Sequence, residues 1–161
     1  MGRTFLNQRD VVVNELTNVL APSGLGQLRA IFSGETGYEG IIKTLDLHPV
    51  SADDGIVVFE GSPTKAVYNP LGSVHGGYAA TLLDTVMACA VHSRLQSGQR
   101  YTTLELKVAY HRALTEASGP VRAEGKVISN GRRAAFAEGR LFDKDGNLCA
   151  SATTTCLIYN A

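Results

Sequence analysis

Tryptophan is absent from this chain of 161 residues, methionine occurs twice and cysteine three times. Cys89, Cys149 and Cys156 form no Cys-x-x-Cys pair and no Cys–His spacing, so nothing in them points to a metal site. They are expected as buried, reduced thiols in a cytoplasmic protein. Neither sign of charge is in excess, with 15 basic and 15 acidic residues. No global field therefore draws the chain to nucleic acid or to an anionic membrane, and there is no helix-turn-helix or basic segment for DNA. The N-terminal stretch MGRTFLNQRDVVVNEL has no sustained apolar core, so no signal peptide is expected, and Leu6 stands where a myristoylation motif wants Ser or Thr. No wholly apolar run reaches the ~18 residues of a membrane span. Also missing are the G-x-S-x-G elbow, the phosphate-binding P-loop and a G-x-G-x-x-G opening a helix.

What is present is one stretch around which the rest is organised. Residues 69–95 read NPLGSVHGGYAATLLDTVMACAVHSRL. From Tyr78 to Val91 nearly every position is apolar or small, interrupted by Thr81, Asp84 and Thr85. The pattern predicts a helix from about Gly76 to Leu95, with Gly98 as a stop signal. A helix apolar on all sides must be buried on all sides. Asp84 does not belong there: an unpaired carboxylate in such a setting costs several kcal/mol. It is either a structural Asp bonded to a neighbouring hydroxyl or amide, or a catalytic carboxylate at a pocket edge, where burial raises its basicity. Gly76 and Gly77 open the helix where unpaired N–H groups and a partial positive charge are presented. They make either a tight turn or a site for a carbonyl or oxyanion. Asp84 lies about 12 Å along the helix from Gly76 at ~1.5 Å per residue, too far for both to touch one carbonyl. Two antiparallel copies of the helix across a two-fold axis bring Gly76 of one subunit to Asp84 of the other, which predicts a dimer with two composite sites.

The remaining chain is expected to wrap this helix. Residues 7–20 show helical spacing ended by Pro22, Ser23 and Gly24. Leu25 to Phe32 reads as a second short helix stopped by Ser33 and Gly34, and Tyr38 to Leu45 as a further helical turn. Strands follow: 45–53, an Asp54-Gly55 turn, then 56–63, with Pro49 marking the first as an edge strand. After the helix, Tyr101 to Arg112 alternates, with Leu104, Leu106, Val108 and Tyr110 on one face and Glu105, Lys107 and His111 on the other. Val121 to Ser129 alternates likewise. Asn130-Gly131 predicts a two-residue hairpin turn into a strand from Arg133 to Phe142, and a turn at Asp145-Gly146 leads into Leu148 to Tyr159. Ala123, Gly125, Ala135, Ala137, Gly139, Ala150 and Ala152 are small and share one side, letting a sheet approach a helix closely. Two strands, one buried helix and four strands give an α+β chain, an antiparallel sheet curled round a central helix. The helix side left open is expected to be covered by a partner.

Asn69-x-x-Gly72-x-x-His75-Gly76-Gly77, with Asp84 nine residues after the histidine, resembles the signature of hotdog-fold acyl-CoA thioesterases of the PaaI and 4-hydroxybenzoyl-CoA type. The strand TTLELKVAYHRAL and the hairpin after it are similar too, so the resemblance covers roughly residues 45–158. It implies residues 1–44 as an N-terminal helical extension and 45–161 as a hotdog thioesterase domain. It implies Asp84 as the catalytic acid, acting as nucleophile or as base for water; the backbone N–H of Gly76 as the group polarising the carbonyl; Asn69 as an amide near the thioester; His75 as holding the loop; and Thr103 as a hydroxyl near the attacking water. Some relatives carry Glu for the acid, and some a hydroxyl one turn later, where this chain has Ala88. Gly77 belongs to the same substrate-binding turn, and Gly131, Arg132 and Arg133 are the candidates for the coenzyme A phosphates. No metal or cofactor is implied; coenzyme A enters as part of the substrate. The resemblance implies hydrolysis of an aromatic or medium-chain acyl-CoA by a cytoplasmic homo-oligomer, a dimer or a tetramer made of two dimers. The alternatives are a non-catalytic acyl-CoA-binding hotdog protein and a hotdog hydratase or dehydratase, for which only His75 could pair with the Asp.

Overall fold

Two strands, a long helix and four further strands follow one another along the chain in a computed structural model that describes residues 23–37 and 40–160. Strands β1 (Leu47–Asp53), β2 (Ile56–Gly61), β3 (Gln99–Tyr110), β4 (Val121–Asn130), β5 (Ala134–Phe142) and β6 (Leu148–Asn160) form one sheet in the order β1-β2-β4-β5-β6-β3. All five pairings are antiparallel. Helices α1 (Gly24–Phe32) and α2 (Ile41–Thr44) precede the sheet, and α3 (Gly76–Ser93) lies in its concave face. This is the hotdog fold. The helix expected over residues 7–20 lies outside the described residues. No helix among the described residues is long and apolar enough to cross a membrane.

The small residues set how close α3 comes. Ala123, Ala135 and Ala137 are fully buried and Ala150 and Ala152 nearly so. Gly125, in the middle of β4, faces the helix backbone directly: a Cβ there would overlap the Val86 carbonyl and stand 2.6 Å from the Met87 nitrogen. Against this floor α3 buries Leu82, Leu83, Val86, Met87 and Val91 with no exposed surface, each contributing roughly 1.5–3 kcal/mol of hydrophobic stabilisation. The end of the helix is tied by Ser93, whose hydroxyl donates to the Ala90 carbonyl and accepts the Gly55 N–H, both at 2.7 Å. The β1–β2 turn is thereby fixed to the helix C-terminus, and Arg94 meets Asp54 at 3.2 Å beside it.

Helix α1 packs on α3 and β1. Leu28 joins the central core, Phe32 meets Phe59 edge-on at 5.3 Å, and the Gly24 N–H donates to the Leu95 carbonyl. His92 shows the cost of this cover. Burial lowers its pKa, so the ring is neutral and pairs through Nε2 with Gln27 Oε1 at 2.8 Å, instead of serving the helix end as a cation.

Two sequence expectations need correction. The β4–β5 hairpin forms, but its tight turn is two residues later than Asn130-Gly131. The Gly131 N–H donates to the Ala134 carbonyl, so Arg132 and Arg133 hold the turn, and neither Asn130 nor Gly131 takes a positive φ. The irregularity between Val127 and Ser129 inserts a residue into β4 and shifts the register. In β3, Leu104 does not share a face with Leu106 and Val108: a bulge between Thr103 and Glu105 turns it outward, 59% exposed.

Candidate functional site

The polar interruptions of α3 are of two kinds. Thr81 and Thr85 return their hydroxyls to the carbonyls one turn back, Gly77 at 2.9 Å and Thr81 at 2.8 Å, which satisfies them within the helix. Asp84 reaches sideways instead. Its Oδ1 accepts the Thr103 hydroxyl at 3.2 Å, from β3. Strict alternation in phase with Leu106 and Val108 would put Thr103 on the outer face; the bulge at Leu104 turns it inward, onto Asp84. Burial raises the Asp84 pKa, and the Thr103 hydrogen bond opposes the rise only in part. The carboxylate is thus more basic than an ordinary aspartate. The thiols nearby do not compete for its role. Burial and the Asp84 charge push Cys89 up to about 12, and burial also raises Cys156.

A second group gathers at the N-terminus of α3. His75 is the N-cap, extended at φ −62° and ψ 135°, and its Nδ1 accepts the Gly77 N–H at 2.9 Å. The Gly76 N–H has no acceptor among the described residues. Asn69 organises the approach loop: its Oδ1 accepts the N–H groups of Leu71 and Ser73, and its Nδ2 donates to Ser73 Oγ at 3.0 Å. The Asn69 side-chain amide therefore acts within the loop in this conformation, and the Asn69 backbone carbonyl accepts the N–H of Gly72, which sits at φ 85°. Beside this turn lies a cavity of about 390 Å³ bounded by Leu45, Val67, Tyr68, Gly77, Tyr78 and Thr81. The Tyr78 hydroxyl is buried without a partner among the described residues, and its pKa is pushed up to about 12, by burial first and then by Asp46.

Within one chain these two groups remain apart, with two turns of helix between Gly76 and Asp84. Gly131, Arg132 and Arg133 are exposed at the opposite end of the sheet from Gly76, where β6 ends and β3 begins. Sequence reasoning assigned no site role to Tyr110, whose hydroxyl donates to the Gly76 carbonyl at 3.0 Å. Alternation places Tyr110 on the helix side of β3, but no local signal says that the strand's last residue meets the helix's first.

A profile described as the thioesterase superfamily matches residues 71–150. The solved structure of a phenylacetic acid degradation-related protein from Ralstonia eutropha aligns with a TM-score of 0.73 at 30% identity, over 80% of this chain and 97% of that one. The proofreading thioesterase EntH of Klebsiella pneumoniae is 29% identical over 97 residues, 60% of this chain and 69% of that protein. A Saccharolobus solfataricus protein carrying a provisional esterase name is 33% identical over 88 residues, but the match spans only 57% of its length. This chain belongs to the thioesterase superfamily.

Proposed function

We propose that the protein hydrolyses an acyl-CoA thioester to the free acid and coenzyme A at two equivalent sites, each built between two copies of the chain. The observation that carries this is Asp84, a half-buried carboxylate of raised basicity on an otherwise apolar helix, held by a hydroxyl from the neighbouring strand. Asp84 acts on the thioester carbonyl, directly or through a water that it deprotonates. The Gly76 N–H of the other subunit stabilises the charge that develops on oxygen, aided by the helix N-terminus. The carbonyl carbon gains an oxygen from water, the C–S bond breaks, and the sulfur leaves as the coenzyme A thiol. Side chains, one backbone N–H and water suffice for these steps.

Pairing of two chains is supported by what each leaves open. Strand β3 is an edge strand of 12 residues whose outer side pairs with nothing among the described residues. Leu71, 92% exposed, lies in the loop that leads into Gly76, and Leu104, 59% exposed, follows Thr103 in the strand. Unpaired edges with exposed apolar residues are sites of strand addition. The cavity beside Gly77 is apolar and of a size for an aryl or medium-chain acyl group. Arg132 and Arg133 carry no ion pair among the described residues and are the candidates for the nucleotide phosphates.

Thiol release from phenylacetyl-, benzoyl-, hexanoyl- and palmitoyl-CoA tests the proposal. Turnover of at least one of the first three, faster than of palmitoyl-CoA, is expected. Binding of all four with turnover of none would overturn hydrolysis in favour of an acyl-CoA-binding protein.

A further inference from the structure

The peptide group joining Gly76 to Gly77 is gripped at both ends by side chains. Its N–H donates to His75 Nδ1 at 2.9 Å, and its carbonyl accepts the hydroxyl of Tyr110 at 3.0 Å. The first grip is local, from the N-cap; the second comes from the far end of β3, 34 residues on. The approach is close, because Gly76 has no side chain: a Cβ on it would lie 3.1 Å from the Tyr110 Cζ and hydroxyl oxygen. Two consecutive glycines at a helix start have the greatest backbone freedom available, and the first turn of a helix lacks the hydrogen bonds that restrain its interior. The residue before them is fixed: the His75 N–H donates to the Val67 carbonyl at 2.8 Å, and its own carbonyl accepts the Tyr78 N–H at 2.9 Å. With His75 held on one side and the Gly76–Gly77 peptide held on the other, the Gly76 N–H between them is left a single direction. A cavity of about 330 Å³, lined by His75, Gly76, Tyr110, Arg112 and Leu114, opens at that point.

We infer that Tyr110 is a positioning residue for the reaction: its hydroxyl, on the Gly76 carbonyl, keeps the Gly76 N–H aimed at the thioester oxygen. This rests on the functional assignment proposed above. Tyr110→Phe keeps the ring and its packing and removes only the hydroxyl on the Gly76 carbonyl, so positioning separates from stability.

The test is Tyr110→Phe in the full chain, read by thiol release from the best thioester of the panel, by thermal melting and by the backbone amide resonances of Gly76 and Gly77. A lost positioning hydrogen bond is expected to lower kcat by about 5- to 30-fold with KM changed less than about twofold. The melting temperature should fall by no more than about 4 °C, as for the loss of a single hydrogen bond. The Gly77 amide resonance should move and its hydrogen exchange quicken. A raised KM with unchanged kcat would make Tyr110 a substrate contact and overturn positioning, as would full activity in the variant. The amide resonances report without turnover. If the parent protein hydrolyses no thioester, the proposed function fails on its own account. Unaltered Gly76 and Gly77 resonances in the variant overturn the role of Tyr110 in either case.

Discussion

Asp84→Asn abolishes thiol release to within about one part in a thousand of the parent rate, the range lost when a base or nucleophile is removed from acyl-transfer chemistry. Asparagine keeps the shape and can still accept the Thr103 hydroxyl, so the loss isolates the charge and its basicity. Stability should move in the opposite direction. Burial raises the folded-state pKa of Asp84 above its unfolded value. Between those two values the folded state binds more protons than the unfolded one, so the contribution of this group to stability falls as pH rises and stays unfavourable above the folded value. Asp84→Asn removes that penalty. Melting of the variant at neutral pH should therefore match or exceed the parent, and the difference should shrink as pH is lowered past the ordinary aspartate range. A variant that loses activity and also melts well below the parent at neutral pH would make Asp84 a structural residue.

Gly125→Ala is expected to be among the most damaging single changes in the fold. The added methyl meets the backbone at Val86 and Met87, which cannot rotate away. Helix α3 must then lift from β4, its most extensive neighbour, loosening a core in which Leu83, Val86 and Met87 are fully buried. Overpacking against backbone exceeds the usual ~1–3 kcal/mol of overpacked cores. At ~3 kcal/mol or more, a chain of this length loses on the order of 10 °C in melting temperature. Gly139→Ala is the control. Its methyl meets the Met87 side chain at 3.0 Å and Leu83 at 3.1 Å, groups able to give way, so a smaller loss is expected. Equal melting temperatures for the two variants would mean that helix–sheet distance is not set at Gly125.

The sequence made the central helix legible because its apolar run leaves no exposed face, and the small positions of β4, β5 and β6 were legible because they recur with a period of two. Helix α1 was legible between its breakers, but Ser23, read as ending the segment before it, is its cap and accepts the Gly26 N–H. The errors arose where one inserted residue changes parity. The bulge at Leu104 exposes a leucine that alternation would bury, and the residue inserted after Val127 recentres a hairpin that would otherwise turn about Arg132 alone onto the pair Arg132-Arg133. Thr103 shows the same physics from the other side: alternation alone would send it outward, and only the resemblance placed it near Asp84. Within the candidate site, Asp84 and the two glycines were legible as violations of the local pattern. The loop-building role of Asn69 was not, since an amide looks the same in a sequence whether it binds a ligand or its own backbone. Tyr110 was hidden because its partner, a glycine carbonyl, leaves no mark on the residue pattern.

The most direct test of the composite site is subunit complementation. Gly76→Pro deletes the N–H at a position where proline suits a helix start, behind a residue already extended as a proline requires. The Cβ of the added ring meets the end of the Tyr110 side chain at 3.1 Å, which a shift of a few tenths of an ångström relieves. Alone, Gly76→Pro and Asp84→Asn should each release almost no thiol. Mixed in equal amounts and allowed to exchange subunits, half of the dimers carry one defect on each chain, and each of these has one site with both groups intact. Activity should return to about a quarter of the parent value, as random pairing across a two-fold axis dictates. Mixed dimers that form, verified by mass on differently tagged copies, and yet stay inactive would show that one chain must supply Gly76 and Asp84 together, and would contradict the account.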